Sequence, residues 1–466
     1  MVCNMPFFVV KYELRNNMTR QELLSRICNA SFNGCLGLFV GAGFTKAALK
    51  GSFDYEAYSW KELLRECCKE MDIDESIVDT PLSNPEIASN ICNAFVNKNP
   101  ATINYEKSVE RLKKIIADKV SVFPEEKVKE KYVDYFKSIN LSWVITTNYD
   151  TIIESFLEDK AIPIGPEDFF LKREGFVPVY HIHGIRFSPQ SIVITNEDYA
   201  KYFRPNDYRS ARLPFLIKES LVLMIGYGLG DLNVLTAVDL AKNVYSDNGE
   251  SFPIIQLVYK GENFKNEPYQ HPSGIWIIEI QDIPSFFDEL IAAKASAEEI
   301  RKKTAEAIEA NNHIFDEPND VTIDAFIDQE MYRNQIIDIV KSLDREYNSV
   351  YLHFELFCRN VFKKCRIREA PSGAFDAYKL HLKVLIDLLK IPFKKMPISF
   401  FSFLASELDD LAYYIGDGSG QSWAADETWK NEASSIPEDM LYQIKQYNAG
   451  MGRYYTHLAK ILGKIK

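Results

Sequence analysis

Leu36-Gly37-Leu38-Phe39-Val40-Gly41-Ala42-Gly43-Phe44-Thr45 is the stretch on which the fold turns. Its five leading residues form a short apolar run that stops at glycine, the mark of a buried strand. Residues 45–49 can then open a helix, so the stretch reads as strand, glycine-rich turn, helix: one α/β unit. Upstream, Thr19-Arg20-Gln21-Glu22 has capping-box spacing ahead of apolar Leu23, Leu24, Ile27 and Cys28, which predicts a helix leading into the strand. Downstream, further buried-strand candidates fall at 143–146, 177–182, 191–195, 221–225, 254–258 and 275–280, separated by longer helical or irregular segments. This alternation predicts an α/β fold with a doubly wound, mainly parallel, Rossmann-like sheet and helices on both faces.

The texture changes after about residue 290. Residues 292–310 are rich in Ala, Glu and Lys, which suits a connecting helix. Strand-like runs then largely cease, and 324–341, 349–364, 377–389, 400–415 and 437–460 carry apolar residues at helical spacing. The expectation is two domains, an α/β domain over 1–295 and an all-α domain over 296–466. A chain of 466 residues is long enough for both, and 46% hydrophobic with 26% charged residues is ordinary globular usage.

The net charge of −12 argues against the whole chain as a nonspecific nucleic-acid binder. The longest apolar runs fall far short of the roughly 20 residues of a membrane span. Phe7-Phe8-Val9-Val10 has no basic region before it, so a cytoplasmic protein without membrane attachment is expected. The cysteines, at 3, 28, 35, 67, 68, 92, 358 and 365, form no Cys-x-x-Cys pair. They read as reduced, mostly buried thiols and not as a zinc ribbon.

Four segments could carry chemistry, each placed after a strand. In Gly41-Ala42-Gly43-Phe44-Thr45 the glycines admit close approach of phosphate to backbone at a helix start, or simply make a tight turn. In Thr146-Thr147-Asn148-Tyr149-Asp150, Asn148 is either a ligand-facing side chain at the carboxyl edge of the sheet or the cap of a helix over 151–157. His181-Ile182-His183-Gly184 ends a strand whose alternation would put both imidazoles on one face. No further ligands accompany them, so no metal is expected, and His183 beside Gly184 is the general-base candidate. Gly226-Tyr227-Gly228-Leu229-Gly230-Asp231 is a second backbone surface or a flexible turn.

These residues in this order resemble the sirtuin family. Gly41-Ala42-Gly43-Phe44-Thr45 corresponds to its Gly-Ala-Gly-x-Ser loop. Residues 146–150 correspond to Thr-Gln-Asn-Ile-Asp, with Thr147 for Gln and Tyr149 for Ile. His183-Gly184 matches the catalytic His-Gly. Gly226-Tyr227-Gly228-Leu229 is closer to the Gly-Tyr-Ser-Leu-x-Asp form of bacterial phage-defence relatives, and Trp60-Lys61-Glu62-Leu63-Leu64 is similar to their Trp-x-x-Leu-Leu segment. The resemblance covers about residues 20–290.

It implies NAD as substrate. Asn148 would orient ribose or water, His183 would serve as general base, and Asp150 would support Asn148 or the ribose. Gly41, Ala42, Gly43 and Thr45 would hold the diphosphate, with Thr147 among the NAD contacts and Gly226, Gly228 and Asp231 along the adenosine side. Deacylating sirtuins carry a four-cysteine zinc module between the catalytic His and the Gly-x-Ser-Leu loop, but residues 187–225 contain no cysteine. That favours NAD hydrolysis in anti-phage defence over lysine deacylation, with no zinc expected. A non-catalytic NAD- or ADP-ribose-sensing subunit is the third reading. The resemblance also implies a homo-oligomer and a HerA-like hexameric ATPase as partner. In the helical half, Arg359, Lys363, Lys364, Arg366 and Arg368 read as the solvated face of an amphipathic helix, with docking of nucleic acid or an acidic partner as the alternative. Gly416-Asp417-Gly418-Ser419-Gly420 lacks a preceding strand and reads as an inter-helix loop.

Overall fold

The computed structural model describes residues 18–50, 57–166, 168, 174–202, 214–226, 252–315, 318–343, 348–371, 373–451 and 456–463. These fall into two compact units, Lys11–Ala297 and Glu298–Lys466.

The first unit is built on a sheet of eight strands: β1 Leu36–Val40, β2 Leu141–Thr146, β3 Ala161–Ile164, β4 Val177–His181, β5 Leu221–Ile225, β6 Ile254–Tyr259, β7 Tyr269–Gln270 and β8 Trp276–Ile280. Their order is β3-β4-β2-β1-β5-β6-β8-β7, parallel throughout except for β7 against β8. The Rossmann-like α/β fold is therefore observed. The register decides what can form a site: Val40 lies opposite both Thr146 and Ile225, and Thr146 lies opposite His181. Four strands thus end at one level, and the segments that follow them emerge side by side at the carboxyl edge, where the sheet order reverses around β1.

Alternation divides the strands between two cores. Leu38, Val40, Val144, Leu223 and Ile225 enter one, with α1 Arg20–Phe32, α2 Ala42–Ala48 and α6 Glu126–Ser138 contributing from the helical layer. Phe39, Trp143, Ile145, Val222 and Met224 enter the other. Phe44 of α2 is fully buried and meets Tyr132 and Phe156 at ring-centroid distances of 5.5 and 6.0 Å. That aromatic anchor fixes where α2 starts, and hence where the glycine turn sits. A third core belongs to α3 Trp60–Glu70, α4 Asn84–Lys98 and α5 Tyr105–Lys119. Ser59 and Ser83 start the first two with reciprocal capping boxes, each cap contributing about 1 kcal/mol.

The segment 191–195 is not a strand. Ile192 and Ile194 are buried in the third core, but the Ile194 and Thr195 amides donate to Asp198 Oδ2, each at 3.1 Å. A side chain at the start of α8 Asn196–Tyr202 has taken the bonds a ladder would need. The apolar alternation there reflects packing against helices and not sheet pairing. The expected connecting helix begins earlier than residue 292: α9 spans Ile283–Ala310, the Ser285 amide at its start donates to Asp282 Oδ1 at 2.7 Å, and the short α10 Asn312–Phe315 follows.

In the second unit the expected helix over 324–341 is two, α11 Asp320–Asp328 and α12 Glu330–Ser342, broken at Gln329 (φ −109°, ψ 99°). The buried Arg333 guanidinium bonds the carbonyls of Phe326 and Ile327 and pairs with Asp387 at 2.8 Å, so the break is met by a charged group that ends α11. The helices α13 Asn348–Glu369, α14 Phe375–Leu389 and α15 Ile398–Ala412 follow. The stretch 437–460 yields Glu438–Met451 and Thr456–Leu462, and Trp423–Glu432, started by a Ser422 cap, is an additional helix. The basic residues of α13 are largely met from within the unit. Arg359 pairs with Glu355, Lys364 with Asp320 and Asp324, Arg366 with Glu407, and Arg368 with Asp324 and Asp328. The described cysteines are free thiols, buried except for the half-exposed Cys35. Among the described residues no helix is long and apolar enough to cross a membrane.

Candidate functional site

Because β1 and β2 end together, the turn after β1 and the segment after β2 meet at one hydroxyl. Thr45 Oγ1 accepts a hydrogen bond from Asn148 Nδ2 at 3.0 Å and donates one to Asp150 Oδ2 at 2.9 Å. The other carboxylate oxygen of Asp150 accepts from the Ile152 amide at 3.2 Å, at the start of α7 Ile152–Leu157. It is therefore Asp150, and not Asn148, whose side chain meets the first amide of this helix; the cap position itself is Thr151, which makes no side-chain cap bond. Burial raises the Asp150 pKa, against the lowering effect of the bonds from Ile152 and Thr45. The Asn148 backbone is held as well: its amide donates to Thr146 Oγ1 at 3.0 Å, and that hydroxyl donates to the Val40 carbonyl at 3.1 Å. Thr147 and Asn148 are half-buried, while Ala42 and Gly43 are exposed. Tyr149 takes no part in a polar site; it is buried, meets Trp60 edge-on and donates from its hydroxyl to the Val193 carbonyl at 2.9 Å, tying the α3–α5 layer to the sheet edge.

The two glycine turns lean on each other. Gly41 N–H donates to the Ile225 carbonyl at 3.0 Å, and Gly43 N–H to the Gly226 carbonyl at 2.8 Å. Gly226 has φ +65°, and a Cβ there would lie 2.0 Å from the Phe44 nitrogen; a Cβ on Gly43 would lie 2.9 Å from the Gly226 oxygen. Both glycines are thus required by protein–protein backbone contact, whatever ligand lies beyond them. Gly228 and Asp231 lie outside the described residues.

The His-x-His pair does not share a strand face. β4 ends at His181, and the Gly184 amide turns back to the His181 carbonyl at 3.1 Å. Gly184 has φ +96°, and a Cβ there would meet the Ser191 oxygen at 2.3 Å. Past the strand end, alternation no longer governs, and the two rings have different surroundings. His183 is buried with its ring edge-on to Tyr199 at 5.6 Å. His181 has Nδ1 at 3.1 Å from the Asn148 carbonyl oxygen and Nε2 at 2.6 Å from Glu154 Oε1. Burial disfavours charge on His181, but the Glu154 hydrogen bond and charge, with smaller contributions from the Asn148 carbonyl and Asp150, raise its pKa. Glu154 had no prominence in the sequence, where it is one acid in the first turn of a helix. The available signal was the pattern itself: a histidine on a buried strand needs polar partners.

A parallel sheet reversing at β1, with glycine turns, an Asn-x-Asp segment and His-Gly gathered at its carboxyl edge, defines the class. Residues 142–276 match the family model of the SIR2-like domain. Among characterised proteins the chain is similar to Defense-associated sirtuin 2 of Bacillus subtilis, 23% identical over 241 residues. The match covers 50% of this chain and 22% of that protein, so the chain spans only about a fifth of its relative's length.

Proposed function

We propose that this chain hydrolyses NAD to nicotinamide and ADP-ribose and acts as an NAD-depleting effector in anti-phage defence. The observation that carries the reading is the convergence on Thr45: one hydroxyl from the glycine turn holds both Asn148 and Asp150 at the carboxyl edge of a SIR2-like sheet. Nicotinamide leaves as a neutral base when the bond to ribose C1′ breaks, so the reaction needs positioning and charge stabilisation more than a strong acid. Among the described residues only the Thr45 bond engages the Asn148 carboxamide, which leaves its oxygen and second N–H for ribose or water. Water bonds to C1′, and His183 takes its proton. His183 is buried in this structure. The reading therefore requires its ring to be uncovered when substrate enters, and Tyr199, packed edge-on to it, is the side chain that must shift. Exposed Ala42 and Gly43, with Gly41, Thr45 and Thr147 beside them, form the surface assigned to the diphosphate and adjoining ribose.

The test is nicotinamide release by the purified chain. Asn148→Ala and His183→Ala are expected to abolish it in a protein that remains folded; wild-type rates in both variants sink the assignment. Release that depends on an acylated peptide would mean deacylation, and tight binding of NAD without turnover would mean a sensing subunit. The reading extends to assembly, with the helical unit as the surface for further copies of this chain or a HerA-like hexameric ATPase. Light scattering with and without that protein tests it.

A further inference from the structure

We propose that His181 and Glu154 are positioning residues for Asn148: an imidazolium anchored by Glu154 grips the Asn148 backbone carbonyl and so sets the aim of its carboxamide. The proposal rests on the reading of Asn148 as the group that orients ribose or water.

Both ring nitrogens of His181 face acceptors, the Glu154 carboxylate at 2.6 Å and the Asn148 carbonyl at 3.1 Å. The Asn148 carbonyl can only accept, so Nδ1 carries a proton, and a carboxylate at Nε2 holds a second one there, which makes the ring cationic. The His181 side chain is 0% exposed. A cation so placed is held by its charge-assisted bond to Glu154, and it persists because burial is outweighed by the carboxylate. Asn148 is then fixed from three strands: its amide by Thr146 on β2, its carboxamide by Thr45 beyond β1, and its carbonyl by His181 on β4. The third tie comes from the strand that leads, two residues later, to His183. Through it the clamp sets the separation between the residue that orients the substrate and the residue that takes the proton. Among the described residues, the charged groups facing the ring are Glu154 from α7 and Asp150 from the turn before it.

The experiment compares His181→Asn, His181→Gln and Glu154→Gln in the full chain. Asparagine can present an N–H where Nδ1–H stands; glutamine presents one where Nε2–H stands and leaves the Asn148 carbonyl without its donor. Nicotinamide release at saturating NAD is expected to fall about 100-fold in His181→Gln with KM nearly unchanged, as for a misplacement of about 1 Å. His181→Asn should recover about tenfold of that loss. In Glu154→Gln the alkaline limb of the kcat profile should move about one unit or more to lower pH, because the support for the cation is gone. Equal loss in the Asn and Gln variants, tracking their thermal midpoints, would overturn the clamp, as would an unmoved alkaline limb. If the wild type releases no nicotinamide, the hydrolase reading falls and the clamp is judged separately by the ¹⁵N shifts of the His181 ring. Two protonated nitrogens at a pH above the ordinary histidine value of 6.5 in the wild type, lost at the same pH in Glu154→Gln, support it; a ring already neutral there in the wild type refutes it.

Discussion

Alanine at Gly226 tests whether the two glycine turns form one block. At φ +65° the added methyl sits 2.0 Å from the Phe44 nitrogen and 2.6 Å from the Gly43 carbonyl carbon, whereas ordinary contact begins at 3.4 Å. The left-handed backbone alone costs about 1–2 kcal/mol with a side chain. Forcing two backbones about 1.4 Å apart in a packed region adds about 1–3 kcal/mol. The sum, about 2–5 kcal/mol, should appear as a lowered urea midpoint for the first unit. Gly175 supplies the control: it has φ +81° and nothing within 4 Å of an added Cβ, so Gly175→Ala carries only the first cost. Activity separates the two further. Gly226→Ala pushes on the turn whose Thr45 holds Asn148, and a shift of about 1 Å there lowers nicotinamide release about 100-fold, while Gly175→Ala leaves it unchanged. The reasoning is refuted if Gly226→Ala is no worse than Gly175→Ala in both midpoint and rate.

Three further outcomes follow from the same geometry. Thr45→Val keeps the volume but strips two partners of their bond, so it should destabilise the unit by about 2–3 kcal/mol in urea unfolding and abolish nicotinamide release, while Thr45→Ser stays close to wild type. Arg333→Met takes from the buried Asp387 one of the two cations that bond it, Lys390 remaining, and removes the donor from the Phe326 and Ile327 carbonyls, which should cost the helical unit about 3 kcal/mol; adding Asp387→Leu should restore part of it, and calorimetry distinguishes the two. Asp409 has its pKa raised from 3.8 to about 6, first by burial and then by the charge of Asp410. The folded state therefore holds this proton more tightly than the unfolded one, and stability declines as pH rises between these values. Asp409→Asn should raise the melting temperature at pH 7.5, with the gain vanishing below about pH 4.

Much of the sheet could be read from the chain because buried parallel strands are continuous apolar runs. β1 and β5 are legible to the residue, since each is a five-residue run that stops at glycine. β3 is not: Ala161-Ile162-Pro163-Ile164 is an edge strand carrying a proline, a residue that usually argues against a strand. Residues 191–195 mislead in the opposite sense, because burial of alternate isoleucines against helices has the same signature as burial in a sheet. In the helical unit, apolar spacing finds helices but not the break at Gln329, which depends on Arg333 meeting the freed carbonyls. At the site, the strand ends bring Asn148, Asp150 and Thr45 together much as their order implies. What the chain could not show is that Thr45 is shared between the other two, or that His181 and Glu154 are bonded. Those depend on distances across strands and on a turn that ends alternation at His181.

The bond from Gly43 N–H to the Gly226 carbonyl makes one amide proton a gauge of the distance between the two turns. While the turns touch, that proton is shielded and should exchange slowly with solvent deuterium; a ligand that wedges them apart releases it. Ligand occupancy between the turns, where the proposed reading puts a nucleotide, could thus be followed at a single backbone position without any turnover.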